Sequence, residues 1–188
     1  MLEQPAPPSS DFDLNPGVSL PGGRTLRPAA VLIALTSTGD VVLTKRAAQL
    51  KHHPGQISFP GGKMDPDDKS LWDCACREAE EEIGLHPASL KPLGTLPHHE
   101  TVTGFNITPH VACIRSEQSF RPNAGEVDEV FTVPLAHVLA PDRFRIEGRM
   151  WQGAIRHYYT VPYGPYYIWG ATARMLRGLA DRFAAWQT

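Results

Sequence analysis

The sequence predicts one mixed α/β domain, and three observations support this fold class. The 188 residues lie within the usual size of a single domain. Short aliphatic runs of strand length are interspersed with two longer segments that carry helical periodicity. Neither an internal repeat nor a linker is visible that would divide these elements between two domains. We therefore expect the strands and helices to share one core.

The N-terminal segment, residues 1–28, is predicted to be an irregular arm outside that core. It contains six prolines and the pair Gly22-Gly23. Proline and glycine disfavour regular elements, so the arm should be disordered or draped on the surface. The domain itself is expected to span residues 29–188.

Strands are predicted where β-branched and aliphatic residues cluster between turn signals. Residues 30–35 and 41–44 are separated by a turn, and we expect them to form a hairpin. Pro60-Gly61-Gly62 predicts a sharp turn at which the backbone can approach a ligand. Later strand candidates lie at residues 107–114 and 127–133, with weaker ones at 158–161 and 166–169.

Two helices are predicted, at residues 70–83 and 171–186. The first has no internal glycine or proline, and Gly84 follows it as a C-terminal stop. In the second, apolar side chains recur on one face that should dock onto the core: Met175, Leu179, Phe183 and Trp186.

Composition and charge exclude several classes of function. The net charge of −2 argues against a general nucleic-acid binder. The longest apolar run, residues 29–35, is far shorter than the roughly 20 residues that span a bilayer, and no signal peptide is visible. The cysteines at 74, 76 and 113 are odd in number, which favours reduced thiols in a cytoplasmic protein. We expect a small-molecule substrate, with no nucleic-acid or membrane partner.

The helix at 70–83 carries a cluster of acidic residues. Because each helical residue turns about 100°, Glu78, Glu81 and Glu82 share one face and Glu80 lies opposite. Three carboxylates on one face repel one another, and a hard cation such as Mg²⁺ or Mn²⁺ removes that cost. The alternative is a solvated acidic face. Arg77 is suited to hold a neighbouring carboxylate in a bidentate pair and to fix its rotamer.

The run at 77–85, REAEEEIGL, resembles the second half of the Nudix hydrolase signature GX5EX7REUXEEXGU, in which U is aliphatic. The first half departs from it. Gly62 lies fifteen residues before Arg77, one more than the signature has, and Asp68 occupies the usual Glu position. The role of Asp68 is therefore open.

The Nudix resemblance implies an α/β/α sandwich around a mixed β-sheet. It also implies that Glu78, Glu81 and Glu82 ligate Mg²⁺ or Mn²⁺, with Glu81, Glu82 and Arg77 in the catalytic group. A coordinated water would attack one phosphorus of a diphosphate. A carboxylate outside the helix often acts as the base or as a further ligand, and Glu126 is preferred here over Glu129.

The stretch before the glycine turn resembles the extra motif of the coenzyme A diphosphatase branch, LLTxR(S/A)xxLxxHxGxxxFPGG. The match begins at Val42 and ends at Gly62. It implies cleavage of coenzyme A to 3′,5′-ADP and 4′-phosphopantetheine. Alternation along a strand lets only one of Lys45 and Arg46 face the site, and we select Arg46. The substrate-binding residues are then Arg46, Gln56, Phe59, Gly61 and Gly62.

Two other functions remain open. The first keeps the chemistry and changes the substrate to another nucleoside diphosphate derivative, such as ADP-ribose or a dinucleoside polyphosphate. The second is a catalytically silent Nudix fold that binds a nucleotide or a protein, and the displaced Asp68 favours it.

The paired histidines at 52–53 and 98–99 lack zinc-site spacing. The tyrosines between 158 and 167 are interpreted as strand and core residues. A homodimer is possible, since homodimers occur in this family.

Overall fold

The computed structural model describes residues 2, 6–18, 23–116, 118–151 and 153–187. Residues 1, 3–5 and 19–22 of the predicted arm lie outside the described residues. The strands are β1 (Ser9–Ser10), β2 (Arg27–Leu35), β3 (Asp40–Arg46), β4 (Ile57–Ser58), β5 (Gly61–Lys63), β6 (Leu90–Thr95), β7 (His99–Glu100), β8 (Phe105–Ile114), β9 (Val127–Pro134), β10 (Arg145–Trp151) and β11 (Ala154–Thr160). The helices are α1 (Leu71–Ile83), α2 (Leu135–Val138) and α3 (Gly170–Gln187), with 3-10 turns at Pro87–Ser89 and Pro141–Arg143.

A mixed sheet is built around β2. This strand pairs in parallel with β8 over its full length, from Arg27 opposite Phe105 to Leu35 opposite Cys113. Strand β8 also pairs antiparallel with β6 and β7, and β1 adds in parallel to β7. On the other side, β3 pairs antiparallel with β4 and β9. A β-bulge interrupts the β3–β9 register between Lys45 and Arg46.

Strands β2 and β3 pair only at their turn. Leu35 lies opposite Val41, and beyond that point the two strands separate. Strand β5 pairs with β2 from Ala29 to Val31, while β4 pairs with β3 at Thr44 and Lys45. The predicted hairpin is therefore wrong beyond its turn, because each strand finds a longer partner elsewhere. The separation makes room for the glycine segment, which forms a strand rather than the predicted turn.

Helices α1 and α3 cover opposite faces of the sheet. Alternate residues of β2, such as Ala30 and Leu32, pack with Ala75 and Ala79 of α1 in one buried cluster. The intervening residues, Val31 and Ile33, pack in a second cluster with apolar residues of α3: Ala173, Met175, Leu176, Leu179 and Ala180. This strand alternation around a central sheet confirms the predicted α/β/α sandwich.

The C-terminal part differs from the sequence prediction in three places. Strands β10 and β11 form a separate antiparallel hairpin, of which only the end was predicted. Residues 166–169 form no strand and make only isolated bridges, Tyr163 to Tyr166 and Thr160 to Trp169. Trp186 is 58% exposed, because α3 runs past the edge of the core it covers.

The described part of the arm is attached to the body, and residues 9–15 are called the strap below. Ser9 and Ser10 pair with His99 and Glu100. The Asp11 carboxylate lies 3.3 Å from Nε2 of the buried His99 and accepts from the Val102 amide at 2.9 Å. It also pairs with Arg156 of β11 at 3.1 Å. The strap therefore joins the sheet edge to the hairpin. No helix in the described ranges is long and apolar enough to cross a membrane.

Candidate active site

Helix α1 presents the acidic cluster at the end of the gap between β2 and β3. The helix starts where the Ser70 hydroxyl accepts from the Asp73 amide, and it ends at Gly84 in the left-handed conformation, φ 68°. Its apolar side packs on β2. In this orientation of the helix Glu82 points inward and is almost fully buried, at 3% exposed. A solvated helix face does not bury its carboxylates, so Glu82 contradicts that alternative.

The glycines of β5 lie against this cluster. The Gly61 amide donates to Glu82 Oε2 at 3.2 Å. Gly62 faces Glu78 so closely that a Cβ on Gly62 would stand 2.5 Å from the Glu78 carboxyl carbon. Gly62 thus lets the backbone approach Glu78 where any side chain would intrude.

Arg77 holds several carboxylates at once. Its Nε and Nη2 donate to the two oxygens of Asp68, each at 3.0 Å. Its Nη1 donates to Glu78 at 3.0 Å and to Glu81 at 2.9 Å. Hydrogen bonding to Arg77 lowers the pKa of Asp68 to about 2. Asp68, left without a role by the sequence, is therefore the bidentate partner of Arg77.

The acids of this cluster lack sufficient compensating charge. The pKa of Glu82 is raised to about 8, mainly by burial and also by the negative charges of Glu78 and Glu126, while the Gly61 amide and Arg46 oppose the shift. Burial likewise raises the pKa of Glu78, although Arg77 opposes that shift. Buried carboxylates that repel one another provide a site at which a cation is stabilising.

The donor set fits a hard divalent ion by its chemistry. Carboxylate oxygens are the ligands that Mg²⁺ and Mn²⁺ prefer, and burial raises the pKa of Glu82, a shift that a bound cation would oppose. Within the described residues, however, no three acidic, imidazole or thiol groups already stand together as a ready cage. Arg77 holds Glu78 and Glu81 in their present rotamers. An ion would have to compete with that guanidinium for both side chains.

The other residues predicted for the site differ in their neighbours and in their exposure. Arg46 is close enough to lower the pKa of Glu82, and its buried Nε has no hydrogen-bond partner among the described residues. The Gln56 amide nitrogen lies 3.9 Å from the position of a Cβ on Gly170. Glu126 is exposed at the turn before β9. Glu129 instead accepts a hydrogen bond from Tyr166, whose ring stacks on Phe131 at 3.6 Å.

The prediction that Phe59 contacts the substrate is wrong. Its side chain is 2% exposed and belongs to the cluster beneath α3. The backbone there runs along the gap, and the ring turns into the core because burial of an aromatic side chain is strongly favourable. Phe59 supports the glycine segment from below and presents no surface to a ligand.

The loop between Arg46 and Gln56 has a defined conformation that was not predicted from the sequence. The Arg46 amide donates to the Gln56 carbonyl, and the Gly55 amide donates back to the Arg46 carbonyl, both at 3.0 Å. His53 has φ 55°, a left-handed conformation shared by no other described non-glycine residue. Such strain often marks functional loops. The fixed histidine and glycine of the upstream motif were the available signal.

Comparisons with known proteins agree with this architecture. The family model described as NUDIX domain matches residues 25–151. An uncharacterized Nudix hydrolase, NudL, of Pectobacterium atrosepticum is 38% identical over 159 residues, covering 82% of this chain and 81% of the relative. The NudL of Salmonella newport is 39% identical over 156 residues, with the same coverage of 82% and 81%.

Two solved structures share the fold at low sequence identity. The MutT protein from Methanosarcina mazei superposes with a TM-score of 0.53 at 19% identity, covering 88% of this chain and 99% of that one. The Nudix domain of Shewanella oneidensis NrtR, crystallised with ADP ribose, gives a TM-score of 0.53 at 18% identity, covering 84% and 88%. At these identities the likeness concerns the fold alone.

Proposed function

The chain belongs to the Nudix hydrolases, which act on nucleoside diphosphate derivatives and generally use divalent metal ions, and we propose that its own substrate is coenzyme A. Water would be added across the diphosphate bond to release 3′,5′-ADP and 4′-phosphopantetheine. The observation that carries this proposal is the upstream motif from Val42 to Gly62. Its folding supports the proposal, since two of its residues, Arg46 and Gly62, lie beside the acidic cluster.

Glu78, Glu81 and Glu82 are the residues proposed to hold Mg²⁺ or Mn²⁺. The bound ion would withdraw charge from the diphosphate and lower the pKa of a coordinated water. Arg77 positions Glu78 and Glu81, and Asp68 positions Arg77. Cytoplasmic location is also proposed, and it is supported by the free thiols of Cys74, Cys76 and Cys113.

Arg46, Gln56 and Glu126 are proposed to act on the substrate itself. The unpartnered Nε–H of Arg46 is available to a phosphate oxygen, and burial strengthens such a charge-assisted hydrogen bond. Gln56 would contact the part of the substrate that extends toward Gly170. Glu126 would accept the proton of the attacking water, because its charge is felt at both Glu78 and Glu82.

A substrate panel tests the proposal. The protein would be incubated with Mg²⁺ or Mn²⁺ and with coenzyme A, ADP-ribose or a dinucleoside tetraphosphate, and the products identified by chromatography. We expect coenzyme A to be cleaved fastest, to the two named products. ADP-ribose is the second candidate, because the NrtR domain of the same fold was crystallised with it. Faster cleavage of ADP-ribose would overturn the coenzyme A assignment.

Replacing Glu82 tests the metal site within the same assay. Glu82→Gln should lower kcat at least about 10²-fold, because metal ions supply several kcal/mol of transition-state stabilisation. The fold should survive, since the neutral amide suits a buried position better than a charge. Glu80→Gln is the matched control, because Glu80 is exposed on the opposite side of the same helix. Equal rates in both variants would refute the metal assignment.

A further inference from the structure

Three aromatic side chains form a connected surface where β11 meets the start of α3. Tyr158, Tyr167 and Trp169 are called the aromatic wall. The Tyr158 ring meets Trp169 edge to face at 5.1 Å, and Tyr167 lies 6.5 Å from Trp169. Tyr167 is 43% exposed, so the wall is not a core cluster. The interpretation of these tyrosines as strand and core residues is therefore wrong for Tyr167.

The wall is held in a fixed arrangement by polar contacts at its back. The Tyr167 hydroxyl donates to Glu147 at 2.6 Å, and Thr160 donates to the same carboxylate at 3.3 Å. A backbone bridge from Thr160 to Trp169 ties the segment to β11. Rigid aromatic rings lose little conformational freedom on binding, so a surface held in this way is prepared for a flat ligand.

The wall borders the proposed substrate-binding residues. Gly170 follows Trp169 directly, and it is the residue beside which the Gln56 amide lies. A shallow groove runs past Tyr158 and Gly170, with the strap residue Asp11 on its other side. Tyr166, which precedes Tyr167, contacts Glu129 of β9. Gln56 therefore links the wall to Arg46, with which it pairs through the backbone.

Arginines accompany the aromatic residues on the same face of the hairpin. Arg149 lies directly opposite Arg156 across the two strands, and Tyr158 follows Arg156 two residues later. Two like charges in opposed positions repel, and an anion between them removes that repulsion. Arg156 is anchored to Asp11, yet its buried Nε has no hydrogen-bond partner among the described residues. Arg149 is exposed.

We propose that the aromatic wall stacks on the nucleobase of the substrate, and that Arg149, beside Arg156, binds the phosphate on its ribose. Bases stack on aromatic side chains through their π-faces, and a guanidinium pairs with phosphate oxygens. This inference rests on the proposed function, since coenzyme A carries an adenine and a 3′-phosphate on one side of its diphosphate. It assigns that half of the molecule to the hairpin and α3 side of the cleft.

The test measures each half of the substrate separately by calorimetry, with adenosine 3′,5′-bisphosphate and 4′-phosphopantetheine as probes. Tyr167→Leu removes the ring, and we expect it to weaken the binding of adenosine 3′,5′-bisphosphate at least about tenfold. Binding of 4′-phosphopantetheine should stay unchanged. In turnover, KM for coenzyme A should rise while kcat stays within about twofold, because the base takes no part in the bond that breaks.

Tyr167→Phe is the matched control, because it keeps the ring and removes only the hydroxyl that contacts Glu147. A stacking role requires this variant to keep most of the binding that Tyr167→Leu loses, because the ring remains and only one of the contacts that hold it is removed. If Phe and Leu weakened binding equally, the hydroxyl rather than the ring would be responsible and the proposal would be overturned. Equal weakening of both probes, or no weakening, would overturn it as well.

Arg149→Ala tests the phosphate contact with a matched pair of ligands. It should weaken the binding of adenosine 3′,5′-bisphosphate about tenfold and leave the affinity for adenosine 5′-monophosphate unchanged. If both ligands weakened equally, the assignment of Arg149 would fail. If coenzyme A is not cleaved but Tyr167→Leu still weakens the binding of adenosine nucleotides, the substrate proposal fails and the stacking role of the wall is supported. Should coenzyme A be cleaved with no effect of Tyr167→Leu, only the wall fails.

Discussion

Arg77 is the residue on which the arrangement of the acidic side chains depends. One guanidinium joins Asp68 on the loop before α1 to Glu78 and Glu81 on the helix itself. The Asp68 side chain is only 5% exposed, so this bidentate pair is shielded from water. Asp68 is accordingly a positioning residue, which acts on the glutamates through Arg77.

Replacing Asp68 with Asn should reveal this pair as a pH-dependent stability difference. Charge-assisted hydrogen bonds of this kind contribute about 1–3 kcal/mol, which Asp68→Asn should lose at neutral pH. Hydrogen bonding to Arg77 lowers the pKa of Asp68 from 3.8 to about 2. The contribution is therefore complete above pH 3.8 and disappears as the pH falls through about 2.

Urea unfolding of both proteins between pH 7 and pH 2 measures this difference. The gap between parent and Asp68→Asn should be constant above about pH 4 and should close below it. Asp65→Asn is the control, because Asp65 is half exposed and lies 3.9 Å from the same guanidinium. A gap that persisted unchanged at the lowest pH would contradict the ionic origin of the effect.

Glu126 and Glu129 are distinguished by their neighbours. Glu126 is exposed and its charge reaches Glu78 and Glu82, whereas the Glu129 carboxylate is occupied by Tyr166. If Glu126 is the base, Glu126→Gln should lower kcat about 10²-fold or more, with a small change in KM. Glu129→Gln should stay within about threefold. Steady-state kinetics decide the matter, and the opposite ranking would assign the base to Glu129.

At the scale of elements, the short strand β5 sets the distance between the sheet and α1. Gly61 and Gly62 are adjacent but face different obstacles. A Cβ on Gly62 would meet the end of the Glu78 side chain, whereas a Cβ on Gly61 would stand 2.6 Å from the Val31 Cα. Gly61 also has φ 151°, which L-residues rarely adopt. The Glu78 side chain can move away from a Cβ on Gly62, whereas the Val31 backbone cannot easily move away from a Cβ on Gly61.

Alanine at each glycine should therefore produce opposite outcomes. Gly62→Ala should fold nearly normally and lose about 10²-fold in kcat, because the displaced Glu78 carboxylate leaves its position. Gly61→Ala should lose about 2 kcal/mol or more of stability, because the strand must shift away from β2. Thermal unfolding and initial rates on the two variants check this. Similar thermal midpoints for the two would show that β5 is not packed as described.

Local signals explain why some elements were predictable from sequence and others were not. Helix α1 begins within one residue of its prediction, because Ser70 and Gly84 specify its ends through contacts inside the helix. The separation of β2 and β3 depends on partners far along the chain, β8 and β9, and short-range patterns carry no such information. The same limit applies to Phe59, whose motif position gives no sign of which way its ring turns.

The candidate site divides in the same way. Helical spacing predicted that Glu78 and Glu82 would lie together, and it placed Glu80 outside, where it is exposed. Spacing could not show that Glu82 would be buried while Glu81 stays half exposed, because that depends on how the helix is rotated against β2. The pairing of Asp68 with Arg77 required the loop conformation, and the wall required a hairpin whose first strand has little strand signal.

At the scale of the whole molecule, the strap connects parts that are remote in sequence. Asp11 contacts His99, Val102 and Arg156, and the side chain of Asn15 pairs with both backbone groups of His157. Because Asp11 is largely buried, its removal leaves Arg156 without its buried partner. We expect Asp11→Ala to cost about 3 kcal/mol of folding free energy.

Asp13→Ala provides the matched comparison for the strap. Asp13 pairs with Arg174 at 2.7 Å, but both side chains are partly exposed, so its loss should cost below about 1 kcal/mol. Chemical denaturation of the two variants measures the contrast. Equal costs would mean that the strap is not held by its buried carboxylate.

The strap also orders events while the chain is being made. Ser9 and Ser10 leave the ribosome before their strand partners His99 and Glu100, and the anchors Arg156 and Arg174 come later still. Contacts this distant in sequence form slowly, since a long loop must close first. The strap is thus made before its partners and reaches its place only after they have been made. Until then the β7 edge that it covers is open to other strands.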